Sequence, residues 1–71
     1  MSNLYVVVYA IVSGGDEKVA SCYTKEAIFS VAQAVRALRP DALGLSLHGA
    51  GLSGEVSWSA LEQTLQYCKL P

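Results

Sequence analysis

The run Leu4-Tyr-Val-Val-Val-Tyr-Ala-Ile-Val12 constrains the fold of this chain more than any other stretch. It is unbroken, apolar and rich in β-branched and aromatic side chains, a composition that predicts a strand rather than a helix. Successive strand residues point to opposite faces. Leu4, Val6, Val8, Ala10 and Val12 therefore line one side, and Tyr5, Val7, Tyr9 and Ile11 the other. A strand apolar on both sides needs cover on both sides. The rest of a 71-residue chain suffices for one, so the second side points to a partner surface rather than to chemistry.

That length gives room for a single small domain over residues 1–71. Hydrophobic residues make up 52% of the chain and charged residues 15%, against a usual charged share of roughly 25%. A domain this small buries only about 60% of the surface its unfolded chain exposes. Part of the apolar excess must lie outside, which predicts self-association or a hydrophobic docking face. The net charge is −1, and Lys18, Lys25, Arg36, Arg39 and Lys69 are scattered. They build no basic footprint for nucleic acid or an anionic membrane.

The opening run is too short to span a bilayer. It also fits a secretory signal poorly, because Met1-Ser2-Asn3 carries no side-chain positive charge and cleavage would remove the best strand. Two widely spaced cysteines, Cys22 and Cys68, suit a reduced cytoplasmic protein better than a disulfide framework.

After the first strand, Ser13 to Lys18 supplies a turn, and Val19 to Tyr23 returns as a second, antiparallel strand. Thr24 is placed to cap a helix from Lys25 to about Arg39, with Glu26 in its first turn. Its apolar stripe is Ala27, Ile28, Val31, Ala32, Ala34, Val35 and Leu38, and Pro40 stops it. From Ala42 to His48, Leu43, Leu45 and Leu47 alternate with Gly44, Ser46 and His48, the pattern of a half-buried third strand. Gly49 to Val56 reads as a glycine-rich loop. Ser57, or a capping box at Ser59 to Glu62, then opens a second helix with the stripe Trp58, Leu61, Leu65 and Cys68. The expected fold is α+β: one two-layer ββαβα domain. Its sheet is three-stranded and antiparallel, in order 2-1-3, with both helices on one face. The even-numbered residues of the first strand are taken to face the helices.

Four patterns bear on chemistry. Gly49-Ala50-Gly51-Leu52-Ser53-Gly54 matches G-x-G-x-x-G after a strand and before a helix, making Gly49, Gly51 and Gly54 candidates for a phosphate or small ligand. The fingerprint also requires a further strand and an acidic residue about twenty positions on, and both are missing. His48 and Ser46 share a strand face, where their side chains are expected to stand side by side, with no acid placed to orient the ring. Cys22, Cys68 and His48 lack metal-ligand spacing, and no cofactor is implied. Tyr5 and Tyr9 on an open sheet suggest a stacking platform for single-stranded nucleic acid, but one without a basic groove. Trp58 is read as a core anchor of the second helix or a partner contact.

The expected function is thus that of a non-enzymatic protein-binding module. It is a homodimer, an inhibitor or adaptor of a larger protein, or both, with Tyr5, Val7, Tyr9 and Ile11 in the contact and His48 at its rim. In size, acidity and lack of catalytic residues alone, the chain resembles small phage and mobile-element proteins. Some of these, anti-CRISPR proteins among them, bind and block a host protein.

Overall fold

The computed structural model describes residues 4–71. Residues 1–3, counted within the expected domain and weighed above as a signal flank, lie outside the described residues. In chain order the elements are β1 (Val6–Val12), β2 (Gly15–Cys22), α1 (Lys25–Leu38), β3 (Gly44–Gly49), β4 (Leu52–Ser57), a 3₁₀ turn (Trp58–Ala60) and α2 (Leu61–Leu65). The strands form one antiparallel sheet in the order β2-β1-β3-β4. As the sequence predicts, the long apolar strand occupies the slot between its two neighbours.

Val6, Val8 and Ala10 of β1 are buried in a core with Leu45 and Leu47 of β3, Ile28, Ala32 and Val35 of α1, and Leu61 and Leu65 of α2. Both helices therefore cover the face to which the even-numbered residues of β1 point. α1 starts where Thr24 accepts a hydrogen bond from the Ala27 amide at 3.0 Å, satisfying one of the donors a helix N-terminus leaves free. It ends with the Arg39 amide donating to the Val35 carbonyl, just before Pro40.

The sheet has four strands, not three. The stretch expected to be a loop contains β4, joined to β3 by the two-residue turn Ala50-Gly51. Both turn residues have positive φ, 51° and 89°, the backbone hand that matches the twist of a tight hairpin. Leu52 and Val56 of β4 then alternate into the core. The order of elements is consequently ββαββα.

Other boundaries shift as well. β2 begins at Gly15, so Asp16, Glu17 and Lys18 belong to a strand and not to the turn. Charges of that kind are tolerated there because β2 is an edge strand, where they also discourage pairing with foreign strands. A bulge opposite Val8 and Tyr9 makes Val19 the extra residue of β2. The second helix is one short turn of 3₁₀ and five residues of α-helix, not a helix to the end of the chain. Ser57 makes no side-chain cap bond; its hydroxyl lies 3.2 Å from that of Ser59. Beyond α2 the chain extends: the Lys69 amide donates to the Ala50 carbonyl at 2.8 Å, and the Pro71 carbonyl accepts from the Lys25 amide at 3.0 Å. Cys68 and Leu70 are buried by this lacing.

Candidate functional site: the open face of the sheet

Strand register determines what the helix-free face presents. Paired residues on adjacent strands point the same way, so the pairings assemble three transverse rows. The first is Asp16–Ile11–Gly44–Ser57, the second Lys18–Tyr9–Ser46–Glu55 and the third Ser21–Val7–His48–Ser53. β1 thus lays an apolar ridge of Val7, Tyr9 and Ile11 along the face, with polar or small residues on every other strand. At one end of the ridge Tyr5, 48% exposed, stands with its ring centroid 5.9 Å from that of Tyr23.

The ridge is half-buried rather than bare, because its neighbours close in on both sides. Tyr9 meets the His48 ring edge-on at 5.7 Å. Beneath them Ser46 is only 3% exposed, and its hydroxyl lies 2.7 Å from His48 Nε2. The two side chains, expected to stand side by side, are joined in the structure. The bond satisfies a buried hydroxyl that would otherwise be costly. No carboxylate hydrogen-bonds the His48 ring among the described residues, so the pair lacks the orienting group of a nucleophilic triad. The charges on the face are Asp16, Lys18 and Glu55. Neither Lys18 nor Glu55 has an ion-pair partner among the described residues, where the salt bridges run from Arg39 to Glu17 (2.6 Å) and to Asp41 (3.6 Å). The hydrogen bond from Arg39 to Glu17, aided by the charge of Asp41, raises the guanidinium pKa further.

Tyr5, Val7, Tyr9, Ile11 and His48 are thereby brought together on one surface. Gly49, Gly51 and Gly54 are not part of it in the form expected. They lie in the β3–β4 hairpin, with Gly49 and Gly54 inside strands, and no helix follows Gly54 directly. Gly49 is required by a close approach: a side chain there would run into the Tyr5 carbonyl. Among the described residues no group of three or more His, Cys, Asp or Glu is placed to hold a metal ion, and no helix is long and apolar enough to cross a membrane.

Several apolar residues lie where the sequence did not place them. Leu43, expected on the core face of the third strand, is 74% exposed, and Leu38, expected in the helix stripe, is 78% exposed. Leu43 precedes β3; only its backbone joins the sheet, through an amide bond to the Ile11 carbonyl at 3.0 Å. Leu38 ends α1 and lines a groove of about 480 Å³ between α1 and β2, with Val19, Val31 and Ala10 also in its walls. A helix stripe wider than its buried residues Ile28, Ala32 and Val35 require was the available signal for that surplus. Trp58 is half-buried: its indole N–H donates to the Ala42 carbonyl at 3.0 Å, and the Arg36 guanidinium lies 5.4 Å from the ring centroid. Cys22 and Cys68 are free and buried, and burial pushes the Cys22 thiol pKa up.

No family model, curated protein or solved structure matches the chain.

Proposed function

We propose that this protein is a non-enzymatic binding module, and that the open sheet face is its contact surface for another protein. The observation that carries the reading is the Val7–Tyr9–Ile11 ridge, apolar and half-exposed with no element of the described residues over it, between strands of polar residues. An apolar centre with a polar rim is the usual anatomy of a protein interface. The net charge of this face is negative, from Asp16 and Glu55 against Lys18, which disfavours a phosphate backbone as its occupant. The role is that of an inhibitor or adaptor in a reducing, cytoplasmic setting, consistent with two free thiols.

The substitution Val7→Asp tests this. A carboxylate in the middle of the ridge should abolish association through the face while circular dichroism keeps the native helix signal and unfolding stays cooperative. Loss of the fold would show that the face is interior, and unchanged association would show that the contact lies elsewhere.

A further inference from the structure

We infer that the open face receives a second copy of this chain in one particular arrangement, with a two-fold axis parallel to the strands and passing between β1 and β3. This rests on the binding-module reading and specifies its partner. The sheet order β2-β1-β3-β4 places that axis at the centre of the four strands. A half-turn about it sets β1 over β3 of the other copy, and β2 over β4.

The side chains on the three rows suit this superposition. β1 offers large residues and β3 offers small ones on two of the rows, so Ile11 meets Gly44 of the second copy and Tyr9 meets Ser46, while Val7 meets His48. The ridge of each sheet then lies over β3 of the other, whose exposed side chain on these rows is His48. On the central row, Lys18 comes opposite Glu55 of the second copy and Glu55 opposite its Lys18. These two charges have no ion-pair partner within the described chain. A half-turn about an axis perpendicular to the strands and through the central row would instead lay β2 over β2, setting Lys18 over Lys18 and Glu55 over Glu55. Facing sheets pack about 10 Å apart with their strands rotated by about 30°. Lys18 lies one and a half strand spacings, about 7 Å, from the axis, so that rotation displaces it by only about half the distance. A lysine side chain spans that gap.

The footprint sets the strength. Four strands at about 4.8 Å spacing and six residues at about 3.3 Å rise cover roughly 400 Å² on each copy. That lies below the roughly 800 Å² per partner of a standard stable interface. The dimer should therefore exchange with monomer in the accessible concentration range.

The test is light scattering of the full chain from about micromolar to millimolar concentration, repeated for Lys18→Glu, Glu55→Lys and the double variant, with circular dichroism as the control for folding. The expected mass rises with concentration from that of the chain, 7.5 kDa, toward twice that value. Each single reversal replaces two attractive contacts by two repulsive ones and should weaken association at least about tenfold. The double variant should return to within about threefold of the parent, because the reversed charges again meet opposites. A dimer indifferent to the single reversals, or a double variant weaker than either, would overturn the arrangement while leaving a binding face in place. A chain that stays monomeric up to millimolar would overturn the second copy as occupant and leave the face to a foreign protein.

Discussion

Replacing Gly44 with alanine should unfold this domain at markedly lower denaturant, although the new side chain is a single methyl group. Gly44 has ordinary strand dihedrals, since it is absent from the positive-φ glycines, so its identity is dictated by space alone. A Cβ there would collide with the carbonyl oxygen of Val56 and would sit 3.0 Å from that carbonyl carbon and 3.1 Å from Ser57 Cα. All three are backbone atoms of β4 and cannot swing aside as a flexible side chain would. Forcing them apart is an overpacking cost of about 1–3 kcal/mol, and loosening the Gly44–Ser57 end of the ladder costs about one hydrogen bond, ~1 kcal/mol. Alanine gives back about 0.4–1 kcal/mol by restricting the unfolded chain. The net loss is about 2 kcal/mol, out of about 4–10 kcal/mol expected for a domain of this length. The melting temperature should drop by about 8–16 °C. Urea unfolding followed by circular dichroism and by the fluorescence of Trp58, the residue after Ser57, measures it, with exposed Ser53→Ala as a neutral control in the same strand. A Gly44→Ala variant within about 0.5 kcal/mol of the parent would refute the claim that β4 is held in backbone contact with this position.

Two further perturbations address the core and the helix start. Burial raises the Cys22 pKa above its ordinary value of 9.0. The unfolded thiol therefore loses its proton first, and stability falls as pH rises through that value; the stability difference between about pH 8 and about pH 10 should shrink in Cys22→Ala, as urea titrations at the two pH values will show. Thr24→Ala removes the acceptor for the Ala27 amide and should cost about 1 kcal/mol. Loss of less than about 0.3 kcal/mol by chemical denaturation would mean that water substitutes fully for the hydroxyl.

Much of the fold could be read before the structure because its strongest signals are long. β1 is continuous apolar chain, and α1 carries a cap, a stripe and a proline stop in sequence. Together they dictate the 2-1-3 order, since a helical crossover between β2 and β3 leaves room for one strand. β4 escaped because its core-facing positions are Leu52, Gly54 and Val56: the middle member of the alternation has no side chain, and glycine and serine around it mimic a loop. Cys68 continues the helical spacing of Leu61 and Leu65 and so predicts a longer α2, but it lies past a closing turn at Gln66 and Tyr67, its amide bonded to the Leu65 carbonyl. For the candidate site, the sequence indicated which side chains share the face of β1. It could not show that Lys18, Tyr9, Ser46 and Glu55 form one row, since a row depends on register, and the bulge at Val19 alters that register without a marker in the local composition.

The central position of β1 also governs the order of events in folding. As the chain is synthesised, β1 can pair at once with β2, closing a hairpin through a two-residue turn. Its other edge must wait for β3, whose His48 pairs with Val7 and Gly44 with Ile11, after the whole of α1 has been made. During that interval the most apolar strand of the protein has one unpaired side. Closing so long a loop is the slow, entropically costly step of such a topology. A nascent chain stalled after α1 would therefore present a sticky strand edge, whereas one extended past Gly49 has its decisive partner in hand.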